Sequence, residues 1–222
     1  MTVFPRHLAL TALFVAIAGC SPSPSPTPTP AAAPPAPDAT TAAPATAAPA
    51  DEFHARIKAM CGQAFAGRVA IDTPASPGPN AFAGKPLVMQ VRGCGDSELR
   101  VPFHVGDDRS RTWVITRTDT GLRLKHDHRH EDGTDDAVTM YGGDTASPGT
   151  AERQEFPVDE FSKVMFEREG LAASVTNTWA MEIRPGQQFV YELARPGGRM
   201  FRVEFDLTQP IAPPPAPWGD QD

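Results

Sequence analysis

The residues whose types and spacing could do chemistry most directly lie in Leu122 to His130, LRLKHDHRH. A period of two puts Leu122, Leu124, His126, His128 and His130 on one face, and Arg123, Lys125, Asp127 and Arg129 on the other. Three imidazoles in a row could ligate Zn or Cu, because alternate strand residues stand about 7 Å apart. Three collinear ligands fit a tetrahedral ion poorly without a bulge or a cross-strand partner, so a carboxylate from Glu131, Asp135 or Asp136 would have to complete the set. The reading that weighs more is a solvated polar rim where the strand leaves its sheet.

Asn177 is the second candidate. It falls on the face of Val175, Trp179 and Met181, so a barrel would turn it inward among apolar groups. Either neighbouring backbone or hydroxyl groups satisfy it, or Asn177 and Trp179 help to orient a small apolar ligand, with Trp113, Tyr191 and Phe205 near them. The acidic pairs Asp107-Asp108 and Asp135-Asp136 resemble paired catalytic carboxylates in composition, but each sits in a cluster where aspartate has a turn-forming reason to be. The chain has no Gly-x-Ser-x-Gly elbow, His-Glu-x-x-His, phosphate-cradling glycine loop or Cys-x-x-Cys. The balance leans away from an enzyme.

The elements that must position these residues follow from periodicity. Asp51 to Met60 reads as a helix capped by Asp51, with Phe53, Ile57 and Met60 on one face. The period then changes to two. Phe65, Val69 and Ile71 form one inward set, Leu87, Met89 and Val91 the next, and Leu99, Val101, Phe103 and Val105 a third. Pro102 in that third run points to an edge strand or a bulge. Arg111 to Thr118 and Leu122 to His130 form a hairpin across Asp119-Thr120-Gly121, and Ala137 to Tyr141 follows as a strand. A second helix spans Asp159 to Gly170 with Phe161, Val164 and Met165 as its apolar stripe. A meander through Trp179, Tyr191 and Val203 completes the pattern, turning at Arg184-Pro185-Gly186 and Arg195-Pro196-Gly197-Gly198. The expected fold is mainly β: an antiparallel barrel or sandwich of eight to ten strands with two short helices. It resembles a calycin-like barrel at the level of architecture alone.

A net charge of -7 over 222 residues, with no basic run, excludes nucleic acid as a partner. Leu8 to Cys20 is an apolar run behind Arg6, too short to be a permanent span, and reads as a secretory signal. Its ending, Ile17-Ala18-Gly19-Cys20, resembles the lipobox of bacterial lipoproteins. The resemblance implies cleavage before Cys20, lipidation of that cysteine including palmitate-type acylation, and a cell-envelope, outer-membrane location with the domain in the periplasm. Ala16-x-Ala18 also fits ordinary signal cleavage, which would leave Cys20 as a free thiol. With Cys20 lipidated, Cys61 and Cys94 remain as an even pair in an oxidising compartment and are expected to form a disulfide, the alternative being two buried thiols. Domain bounds follow: 1-19 signal peptide, 20-50 a lipidated cysteine and a Pro/Ala/Thr-rich disordered tether, 51-211 the β domain, and 212-222 a disordered Pro-rich tail. The folded part resembles only uncharacterised bacterial envelope proteins, which implies no activity. The expected role is that of a membrane-anchored lipoprotein whose domain binds a small apolar ligand or serves structurally, with metal binding through His126, His128 and His130 as the alternative. Protein partners are not legible.

Overall fold

The computed structural model describes residues 48-75 and 80-220. The segments expected as signal peptide and tether lie outside the described residues, Cys20 included, except for positions 48-50. The strands are β1 (Ala64–Thr73), β2 (Leu87–Gln90), β3 (Gly93–Cys94), β4 (Glu98–Val105), β5 (Asp108–Thr118), β6 (Gly121–His128), β7 (Tyr141–Asp144), β8 (Arg153–Pro157), β9 (Thr178–Arg184), β10 (Gln188–Arg195) and β11 (Arg199–Asp206). They join antiparallel in the order β7-β6-β5-β4-β2-β1-β11-β10-β9-β8, with the short β3 beside β4. The sheet curls into a nearly closed barrel, and two helices, α1 (Pro49–Lys58) and α2 (Glu160–Arg168), pack on it. A 3-10 turn, Ala172–Thr176, follows α2. Among the described residues no helix is long and apolar enough to cross a membrane.

Alternation builds the interior as expected. Leu99, Val101, Phe103 and Val105 of β4, Trp113 and Ile115 of β5, Leu122 and Leu124 of β6, and Phe189 of β10 are all buried in one core. The same holds for Trp179, Met181 and Ile183 of β9 and for Phe201, Val203 and Phe205 of β11. α1 closes the end of the barrel at the β5–β6 and β9–β10 turns, where Phe53 and Ile57 are fully buried. Cys61, just past α1, is bridged to Cys94 with a Cα separation of 6.0 Å across 33 positions. Closing a loop of that length contributes about 3 to 4 kcal/mol on the chain-entropy view.

Several expectations are corrected. α1 begins at Pro49 with Ala48 as N-cap, because proline's fixed φ suits a first helical position whose N–H needs no partner. Asp51 is not the cap but an ion-pair partner of Arg117. In β1 the register slips between Val69 and Ile71, so the faces exchange: Ile71, expected inside, is 40% exposed, and Asp72 turns toward the barrel mouth. Pro102 is not on an edge, since β4 lies between β5 and β2/β3; the β2–β3 side of the ladder is interrupted opposite it. The strand expected at 137-141 begins only at Tyr141, and Arg153–Pro157 adds a strand that was not foreseen. In α2 the buried side is Ser162, Met165 and Phe166, leaving Phe161 and Val164 exposed. Residues 212-220, expected as a disordered tail, lie along the outer barrel wall. The Trp218 N–H donates to the Arg109 carbonyl at 3.1 Å, and Arg109 Nη1 donates to the Ala216 carbonyl at 2.9 Å.

β7 and β8 share no ladder, and glycine closes the seam between them. The Gly142 carbonyl accepts from Asp159 N–H at 2.9 Å, while Gly142 N–H donates to Ser162 Oγ at 2.8 Å. The same aspartate caps α2 by accepting from Ser162 N–H at 2.8 Å, so the helix start and the barrel seam are one hydrogen-bonded unit.

Candidate functional site

Opposite α1, the barrel opens into a pocket of about 290 Å³. Its inner wall is made by inward positions of four adjacent or facing strands: Phe103, Trp113, His126 and Tyr191. Trp113 stacks between Phe103 and Tyr191, with ring centroids 5.0 and 4.7 Å away. Phe82 and Phe201 form the outer wall, 4.9 Å apart. At the rim stand Arg111, paired with Asp108 at 2.6 Å, and Arg199, paired with Asp72 at 2.5 Å. Their guanidinium carbons lie 5.9 Å from the Phe82 ring centroid and 5.8 Å from that of Phe201, so each cation also faces an aromatic wall.

The polar groups form two short chains. His126 Nδ1 lies 3.1 Å from the Tyr141 carbonyl, which can only accept, so Nδ1 carries the proton. Nε2 is then the acceptor for the Tyr191 hydroxyl at 2.9 Å. His128 Nε2 and the Tyr141 hydroxyl lie 3.2 Å apart, and His128 Nδ1 has no hydrogen-bond partner among the described residues. Burial above all, with the neighbouring His128 second, lowers His126 to about 3. Burial and then the Arg111 charge lower His128 to about 4. Burial raises Tyr141 to about 12 and pushes Tyr191 well above its ordinary value. At neutral pH all four groups are therefore uncharged. Imidazoles this weakly basic are better suited to hydrogen bonding than to taking a proton from a substrate.

The structure brings His126 and His128 together at this pocket and leaves His130 out of it. β6 ends at His128, and His130 is exposed in the following turn, its N–H donating to the Thr134 carbonyl at 2.8 Å. Among the described residues no three His, Cys, Asp or Glu side chains converge as a metal site, and both ring nitrogens of His126 are engaged by protein groups.

Asn177 is buried, as its spacing indicated, yet it does not line the pocket. It follows the 3-10 turn, and its Oδ1 accepts from Arg195 Nε at 2.5 Å, so it ties that turn to β10. Trp179 stands behind the pocket, 5.1 Å from the His126 ring and 5.6 Å from Tyr141, and holds both in place. Asp108 accepts from Ser110 N–H at 3.0 Å and Asp136 from Val138 N–H at 2.7 Å, the turn-type roles expected of them.

Sequence reading did not assign Tyr141, Arg111, Arg199 or Asp72 to the site, nor the wall residues Phe82, Phe103 and Phe201. Arg111 shares the alternation of Trp113, which was a usable signal. Asp72 was hidden by the β1 bulge, and Tyr141 was placed at the end of a strand rather than its start. The chain matches no known family model, and comparison with curated proteins and with solved structures finds no match, so the chemistry of the pocket is the basis for assigning it a role.

Proposed function

We propose that this protein is a membrane-anchored cell-envelope lipoprotein whose barrel binds a small, largely apolar ligand bearing one hydrogen-bonding group, without transforming it. The pocket is the observation that carries the reading. Its inner walls are aromatic, the imidazoles and phenols among them are few and uncharged, and the charged groups, Arg111, Arg199 and Asp72, stand in ion pairs at the rim, the composition expected of a site that orients a ligand rather than reacts with it. The unengaged His128 Nδ1 supplies the hydrogen bond, and Phe82, Phe103, Trp113 and Phe201 supply the apolar contact. The lipobox-like ending at Cys20 supports the anchor, and the Pro-rich composition of the segment after it supports a spacer between anchor and domain.

1-Naphthol, a planar apolar body with one hydroxyl, is a suitable probe. Saturable quenching of tryptophan emission is expected in the wild type, and loss of most of that signal in Trp113→Phe, because Trp113 forms the pocket wall. His128→Ala should weaken binding about three- to tenfold, the worth of one neutral hydrogen bond. Leu193→Trp, which fills the pocket, should abolish it. If 1-naphthol and straight-chain alcohols both fail to bind the wild type saturably, or if Leu193→Trp binds as the wild type does, the ligand-binding reading is lost.

The anchor is tested separately. Cys20→Ser is expected to move the protein from the membrane to the soluble fraction, with intact mass showing loss of the acyl groups. Retention of Cys20→Ser on membranes refutes lipidation at this site while leaving the pocket reading standing.

A further inference from the structure

The donors and acceptors that the mouth pocket leaves open narrow the kind of polar group its ligand carries. The Tyr141 hydroxyl and His128 Nε2 lie 3.2 Å apart, and either could donate. Were Nε2 the donor, the Tyr141 proton would have no acceptor among the described residues and the Nδ1 lone pair no donor. With the hydroxyl donating, Nε2 is matched and Nδ1–H alone is left over. That arrangement leaves one group unmatched instead of two, so His128 presents a donor. Unlike the Nε2 atoms of His54 and His104, which also lack partners but are sealed from solvent, Nδ1 keeps solvent contact in a residue that lines the pocket, within reach of a bound molecule.

Arg111 adds donors of the same kind. Its one carboxylate partner among the described residues is Asp108, held by Nη1, so Nε and Nη2 are unspent. Its charge bears on His128, Tyr141 and Tyr191 alike. The acceptors of the lining are in the opposite state. Asp72 accepts from Arg199 on one oxygen and from Asn80 Nδ2 at 3.4 Å on the other, and Asn80 Oδ1 accepts from Phe82 N–H at 2.9 Å. The carboxylate and amide acceptors of the pocket are thus engaged, and the phenol oxygens of Tyr141 and Tyr191 already donate their protons to the two imidazoles.

A hydroxyl group would bring to this lining a proton with little to receive it, whereas a carbonyl brings lone pairs alone. Buried N–H groups are rarely left without an acceptor, while spare lone pairs are tolerated, so the open donors decide. Phe82, Phe103, Trp113, Tyr141, Tyr191 and Phe201 surround the space, and a flat conjugated ring gains from packing on aromatic faces and edges. We propose that the ligand is a conjugated ring ketone, a flat aromatic body whose carbonyl oxygen accepts from His128 Nδ1 beside the Arg111 guanidinium. This assignment rests on the ligand-binding reading of the same pocket and names its ligand class.

Equilibrium dialysis of the full chain against 1-tetralone, 1-tetralol and tetralin tests it, because one bicyclic skeleton then carries a carbonyl, a hydroxyl or neither. The ketone is expected to bind about tenfold more tightly than the alcohol. In His128→Phe, which keeps a ring and removes the N–H, 1-tetralone should weaken about tenfold while tetralin binds as before. Should that variant fail to fold, the ratio of ketone to alcohol in the wild type still decides. An alcohol bound as tightly as the ketone, or a ketone that loses nothing in a folded His128→Phe, overturns the carbonyl assignment and leaves the binding reading standing. Failure of all three compounds and of 1-naphthol to bind saturably overturns both.

Discussion

Lowering the pH from about 7.5 to about 5 is expected to remove roughly 4 to 6 kcal/mol of folding stability, before the carboxylates begin to titrate. The source is a set of histidines buried as neutral rings. His126 is lowered to about 3 and His128 to about 4 in the mouth pocket. His104, 3% exposed beneath the C-terminal segment, is lowered to about 4, again by burial first and then by the Arg109 charge. A base with a folded pKa below its unfolded value of 6.5 binds its proton more readily in the unfolded chain. Its contribution is therefore complete above 6.5 and drains away as the pH falls toward the folded values. At about pH 5 each imidazole has lost about 2 kcal/mol, and the three together approach the whole stability of an ordinary domain. Asp108 and Asp159 are lowered from 3.8, so their losses come at lower pH and do not overlap this window. Urea midpoints at the two pH values measure the drop. His104→Leu should shrink it by about 2 kcal/mol, since it removes one titrating ring whose Nε2 has no partner to lose. Equal stability at both pH values would mean that these rings are solvated in the folded protein.

The histidines also show what the sequence could and could not reveal. A period of two correctly turned His126 inward with Leu122 and Leu124, because alternation depends only on the local pleat. It could not say where the strand stops. His130 continues the pattern on paper, but the ladder with β5 ends at His128 and a turn begins, so the third imidazole leaves the face on which the first two stand. Ile71 and Asp72 exchange faces for a similar reason: a bulge is set by pairing with β11, which lies about 130 positions downstream. Phe161 and Val164 looked like a buried stripe because helical spacing marks an apolar face without saying what covers it, and Ser162 took the inward place through its bonds to Gly142. The tail was read from composition. Prolines argue against a ladder but permit an extended strap, and Trp218 was its one signal of attachment.

The two chains of polar groups in the mouth depend on partners from strands far apart in sequence. Tyr141 comes from β7 and Tyr191 from β10, and the barrel brings them to one imidazole pair only because β7 and β8 meet. The seam is thus the element on which both stability and the site rest.

Gly143→Ala is accordingly expected to cost at least about 4 kcal/mol and to destroy the pocket as well. A Cβ at that position would stand 1.8 Å from the Pro157 carbonyl oxygen and 3.3 Å from the Asp159 nitrogen. Both are backbone atoms, so no change of rotamer relieves the clash; β7 must move away from the end of β8. That movement breaks the Asp159 N–H bond to Gly142 and the two bonds between Gly142 and Ser162, each worth about 1 kcal/mol net. It also admits water to Phe156 and Phe166 beneath the seam, both at most 2% exposed. Tyr141, two residues upstream, would shift with the strand and release His126 Nδ1 from its carbonyl. Gly186→Ala is the control. It adds the same methyl at a residue with φ +67 and nothing within 4 Å, so only backbone strain of about 1 kcal/mol is at stake. Denaturant unfolding of both variants, with 1-naphthol binding as a second readout, separates steric closure of the seam from a general intolerance of glycine replacement. Equal stability losses in the two variants, or a Gly143→Ala protein that still binds the probe as the wild type does, would show that the barrel does not depend on this contact.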